Sequence, residues 1–443
     1  ATLFELNPAG NVFTVLRHFD YSTDGAYPNG SLLESGGKFY GMTIVGGSND
    51  EGTLFEFNPA GNGFTVLKHL NGTDGAKPQY GNLIAVGTVE APDYTITTTG
   101  NAIVITDLAG NGETLDVSQN GSDIRFAVTP DTRTYSINGG AVTAFTTPAN
   151  VALAGATSIE INTGIGNDII NIGAFTANLP SLTVNGGTGD DAVHFNDDIT
   201  FAANADLDVD LQNDDAAPGT DRVVVATNAN LVLSGTGAAT LKMSRNMVVN
   251  SGGSIETVNG NLEVEANQQT IPITGIFQGV DLNGGVLKAT GTGAATVKGK
   301  GGDSYGIYMH GTGAAINSHS GDLTVLGAGA PGTLNTGIGV YIDGTDAQIA
   351  SLGSGNVQVT GIGGAGTLSQ NIGVFLFNGT ISAGGSGTVT VIGTGGGSGS
   401  SNSNYGVLVV GLVTSSGGDV FVTGTGGGSE SSNSNHGVFV AIG

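Results

Sequence analysis

Two short glycine-rich segments carry the most pointed chemistry in the chain. TGIGNDIIN runs from Thr163 to Asn171 and GGTGDDAVH from Gly186 to His194, offset by 23 residues, and each turn closes on a carboxylate, Asp168 or Asp191. PGTDRVVV, with Asp221, reads as a degenerate third version. These segments lie in an acidic stretch: residues 151–230 hold 12 acidic side chains against Arg222 alone, a local charge of −11 within the −25 of the 443-residue chain. Carboxylates at this density repel unless water or cations intervene, and hard divalent cations prefer oxygen ligands. The absence of cysteine removes thiolate metal sites, disulfides and Cys nucleophiles. The acidity also argues against nucleic acid and anionic lipid as partners.

Other chemistry is sparse. There is no GxSxG elbow, no HExxH pair and no phosphate-binding glycine loop ahead of a helix. No Lys or Arg follows Lys300, although six acids do (Asp303, Asp322, Asp343, Asp346, Asp419, Glu430), and Arg222 and Arg245 are the only arginines near the acidic segment. His194 reads as a turn-strand residue, and His18 and His69 recur because their surroundings are duplicated, which favours a structural role over a metal pair. We therefore expect no enzyme and assign no catalytic residue. No run approaches the roughly 18 to 20 apolar residues that span a bilayer.

The elements that must hold these residues are repeats of short strands. TLFELNPAG at Thr2 returns as TLFEFNPAG at Thr53, FTVLRHF at Phe13 as FTVLKHL at Phe64, and DGAYP at Asp24 as DGAKP at Asp74. Alternating apolar residues broken by Asn-Pro-Ala-Gly and Asp-Gly predict tight β-connections, and a period of 51 residues suits a propeller-blade-like unit. With YGMTIVGG at Tyr40, residues 1–88 resemble the GloVer tandem repeats of large bacterial surface proteins. That resemblance implies an extracellular β-module, although fewer than two full copies cannot close a propeller. Residues 89–150 read as antiparallel hairpins forming a junction or cap.

From 151 to 443 we expect a right-handed parallel β-helix. GIYMH at Gly306, GVYID at Gly339, GVFLF at Gly373, GVLVV at Gly406 and GVFVA at Gly437 recur at intervals of 33, 34, 33 and 31, and GDLTV, GNVQV, GTVTV and GDVFV keep step. A weaker strand such as AQIAS or TISAG between them makes three strands per coil. Alternation puts Ile307, Val340, Val374, Val407 and Val438 inside with Met309, Ile342, Leu376, Val409 and Val440, and turns Tyr308, Tyr341, Phe375 and Phe439 outward as a contact surface. Asn371, Asn404 and Asn435 suggest an internal amide ladder.

Over 151–443 this pattern resembles the β-helical repeats of bacterial filamentous-haemagglutinin-like adhesins. The two acidic turns resemble the GGxGxDxUx nonapeptide of repeats-in-toxin proteins, with Thr163 in place of the leading Gly. That resemblance implies Ca2+ held by Asp168 and Asp191, with Gly164, Gly166, Gly187 and Gly189 shaping the turns and Asp221 in the degenerate copy. The copies lie one coil apart rather than nine residues apart, so the interlocked β-roll of that family is not implied, and Asp-Gly turns that merely suit coil corners remain the metal-free alternative. Together these readings predict an extracellular or cell-surface structural protein: a stalk or fibre segment, cut at both ends from a longer chain, that self-associates end to end or laterally. The competing expectation is a polysaccharide-binding or pectate-lyase-like polysaccharide-cleaving β-helix.

Overall fold

The computed structural model describes residues 1–443 except 8–11, 36, 60–62, 80, 85–90, 213–218, 331–335, 430 and 442–443, so Asp214, Asp215 and Glu430 of the acidic tally lie outside the described residues. The described elements are all β-strands, and no helix is long and apolar enough to cross a membrane. The chain divides into two compact units, Ala1–Glu90 and Ala91–Gly443.

In the first unit the duplicated sequence folds twice into the same bulged hairpin. Thr2–Asn7 pairs with Val12–His18 and Thr53–Asn58 with Gly63–His69, both antiparallel, and both registers slip at the same place, Leu3/Phe4 and Leu54/Phe55. The second hairpin continues a four-stranded antiparallel sheet that begins with Ala26–Ser35 and Lys38–Val45. Phe55 and Phe57 are its buried centre. Arg17 grips the buried Asp24 carboxylate through Nε at 2.9 Å and Nη2 at 2.7 Å, and His69 Nδ1 accepts the Ser48 N–H at 3.2 Å.

The second unit is a parallel β-solenoid of three sheets, here A (14 strands), B (13 strands) and C (eight strands). Eight coils from Ser181 to Ser415 contribute one strand to each sheet. The columns read from the sequence coincide with the paired registers: Ile307, Val340, Val374, Val407 and Val438 are successive partners in sheet B, and Leu323, Val357, Val389 and Val420 in sheet A. Ile307, Val340, Val374 and Val407 are fully buried, as period-two alternation on a coiled strand demands. Parallel pairing in register places like on like about 4.8 Å apart, so each aliphatic column is one continuous strip of core.

The hairpins of residues 94–152 belong to these same sheets. Tyr94–Thr99 and Ala102–Asp107 form an antiparallel pair, and the second strand runs parallel to Ser158–Asn162 of the first coil in sheet A. Thr114–Asn120 pairs antiparallel with Asp123–Thr129 and parallel with Ile169–Ile172 in sheet B. Antiparallel strands thus lie on the N-terminal side of the parallel ladder and give its edge N–H and C=O groups partners. Toward the other end the asparagine ladder is present: Asn371 N–H donates to Asn404 Oδ1 at 3.1 Å and Asn404 N–H to Asn435 Oδ1 at 3.0 Å, with Asn371 and Asn404 wholly buried.

Candidate metal centre and aromatic stack

The two glycine-rich turns have one conformation. Gly164 and Gly187 have φ of +79° and +84°, and Gly166 and Gly189 have φ of +135° and +134°. The turns stack through a bridge between Ile165 and Thr188, with Thr188 N–H donating to the Gly164 carbonyl and Gly166 N–H to the Thr188 carbonyl, each at 2.8 Å. A Cβ on Gly187 would sit 1.8 Å from Gly164 O, so both its φ and its neighbour require glycine. Gly186, the leading residue of its turn, leaves room for the Asp191 carboxylate, whose Oδ2 a Cβ there would meet at 2.5 Å.

The turns place Asp168, Asp191 and Asp221 in a single buried column, 2%, 2% and 1% exposed. Each carboxylate accepts an amide from the preceding coil: Asp168 N–H donates to Asp191 Oδ1 at 2.8 Å and Asp191 N–H to Asp221 Oδ1 at 2.6 Å. Ser244 closes the column, its Oγ accepting the Asp221 N–H at 3.0 Å. At the other end Glu113 occupies the equivalent position, because Thr114 and Ile169 are register partners, and its N–H donates to Asp168 Oδ1 at 2.9 Å. The predicted carboxylates therefore serve as inter-coil hydrogen-bond acceptors, whatever else they hold.

Two acids that sequence reasoning passed over complete a cluster at the base of this column. Asp107 ends its strand in sheet A, Glu113 precedes its strand in sheet B, and one carboxylate oxygen from each lies within 4.8 Å of one from Asp168, all three residues being buried. Arg133, in the cap loop, forms an ion pair with Glu113 and lies 3.7 Å from Asp93. Asp107 Oδ2, Glu113 Oε2 and Asp168 Oδ2 have no hydrogen-bond donor. Burial, followed by the Asp107 and Glu113 charges, pushes the Asp168 carboxyl up to about 7, and burial likewise raises Asp107 and Glu113. The faint signal was DLAGNGE, Asp107 to Glu113, a turn one residue longer than TGIGND that aligns only once the strand register is known. Asn167, Asp190, Asp191, Thr220, Arg222 and Arg245 line a shallow cleft of about 210 Å3 beside the turns.

On the outer face of sheet B the aromatic residues stack on one another. Tyr308 and Tyr341 rings lie 5.2 Å apart at 17°, and Tyr341 and Phe375 lie 4.9 Å apart at 8°. Tyr305 packs edge-on against Tyr308 and Tyr341. Leu408 interrupts the series, and Phe439 stacks with Tyr405 instead. The ring faces of Tyr308, Tyr341 and Phe375 are thus turned to one another along the ladder, and all three residues are half-buried.

Residues 1–108 match the family described as the Gloeobacter/Verrucomicrobia repeat, a match that spans both duplicated hairpins and runs to the end of Ala102–Asp107. No curated protein and no solved structure matches the chain.

Proposed function

We propose that this chain is an extracellular structural segment of a bacterial surface protein: a right-handed β-helical stalk or fibre subunit, joined to a propeller-blade-like repeat module and stabilised by calcium. The carrying observation is mechanical. Three in-register sheets enclose stacked apolar columns through the coils from Ser181 to Ser415. Thirteen to 14 strands at about 4.8 Å spacing make the solenoid roughly 60 Å long, and each interior coil is held by neighbours on both sides. Pulling on such a ladder loads many strand pairings together. Self-association has a candidate surface in the aromatic strip.

Electron microscopy of the purified chain, with light scattering across a concentration series, tests this reading. Rods that lengthen or pair with concentration are expected, and isolated monomers at every concentration would remove the assembly component. The alternative is a polysaccharide-binding or polysaccharide-cleaving β-helix, favoured by the cleft that sets Arg222 and Arg245 beside Asp190 and Asp191. A panel of acidic and neutral polysaccharides, followed for binding and for unsaturated products, separates the readings. Product formation that is lost in Arg222→Ala would replace the stalk with a lyase.

A further inference from the structure

The two interior ladders pose a question of charge. Asn371 and Asn404 show that a neutral amide oxygen accepts the inter-coil N–H perfectly well in this solenoid, so hydrogen bonding alone does not call for acids at Glu113, Asp168, Asp191 and Asp221. Burying a carboxylate without compensation is costly. At the base of the acidic column three buried carboxylates face a single guanidinium, which Asp93 also shares, and one oxygen of each acid lacks a donor.

We propose that Asp107, Glu113 and Asp168 form a calcium site that fastens the capping strands to the first coil. Ligand oxygens bound to one Ca2+ at about 2.4 Å can be no more than about 4.8 Å apart, and the three carboxylates meet that limit. All donors are hard oxygens, as calcium requires, and a divalent ion offsets negative charge that the one shared guanidinium leaves. The ligands come from three places: the end of Ala102–Asp107, the residue before Thr114–Asn120 and the residue before Ile169–Ile172. Arg133 brings a fourth segment, the loop ahead of Thr134–Ile137, onto Glu113. One ion would therefore hold together both cap hairpins and the first coil. The assignment rests on the calcium component of the function proposed above, and places the ion at the cap junction rather than between the repeated turns.

The test uses the full chain stripped with a chelator, titrated with CaCl2 by calorimetry and melted with and without the ion. Wild type should bind one equivalent at this site, and saturating Ca2+ should raise the melting midpoint by about 3 °C or more. Glu113→Gln and Asp107→Asn, each removing one charge at near-constant shape, should weaken binding at least about tenfold and abolish the shift, whereas Asp191→Asn should keep both. Unchanged circular dichroism certifies each variant, and if Asp107→Asn fails to fold, Glu113→Gln decides. No calcium response in wild type overturns the calcium reading as a whole. A response that survives Glu113→Gln but disappears in Asp191→Asn overturns only this site and returns the ion to the glycine-rich turns.

Discussion

At the residue scale, the informative side chains are buried acids with specific acceptor duties. Asp191 accepts the Asp168 amide in the interior, so Asp191→Ala should destabilise the chain by about 1–3 kcal/mol in urea unfolding, while Asp191→Asn, which keeps an acceptor oxygen, should cost much less. Equal losses would mean that charge, not the hydrogen bond, is what the position supplies. Asp281 offers a pH test away from the cluster. It contacts His310 Nε2 at 2.8 Å, yet burial outweighs that partner and raises its pKa. A carboxyl whose folded pKa is raised contributes stability that is complete below the unfolded value near 4 and is lost as pH rises through the folded value. Asp281→Asn should therefore be more stable than wild type at pH 7, with the advantage shrinking toward pH 4. Melts at several pH values check this, and an advantage that grows on acidification would reverse the sign.

At the element scale, the turn and the coil are the units that fail or hold together. Gly187→Ala forces a side chain at φ +84° into Gly164 O, so it should destabilise by about 2 kcal/mol or more and be felt first by the coils on either side. Hydrogen exchange resolved along the chain is the appropriate measurement, and uniform protection would contradict it. Ile342→Ala empties part of an aliphatic column and should cost about 2–4 kcal/mol. The cap hairpins illustrate how an element's role escapes local reading. Their alternating strands were legible as hairpins, but Ala102–Asp107 and Thr114–Asn120 also pair in parallel with the first coil, a relation between residues more than 50 apart in the chain. Only that pairing makes Asp107 and Glu113 neighbours of Asp168.

At the scale of the whole molecule, the solenoid's surface is as patterned as its interior. Lysines answer acids on neighbouring strands in the middle coils, as in Lys298 with Glu265 at 2.6 Å and Lys288 with Glu256 at 2.7 Å, whereas the last coils carry no Lys or Arg and bear the stacked aromatics. If the strip mediates contact, Tyr341→Ser with Phe375→Ser should weaken assembly or surface attachment in sedimentation and binding assays while leaving the fold intact, and unaltered behaviour in both would assign the strip to intramolecular stacking alone. The amino-acid sequence by itself determined the periodicity, the inward and outward columns of the C-terminal coils, the duplicated N-terminal hairpin and the three acidic turns, because each follows from local alternation, glycine placement and repetition. The tertiary structure alone decided that the aromatic faces stack on one another, that Asp168, Asp191 and Asp221 take inter-coil amides, and that Asp107 and Glu113 join Asp168. Those outcomes depend on register and burial across coils, and a carboxylate becomes a demanding group only when folding removes its water.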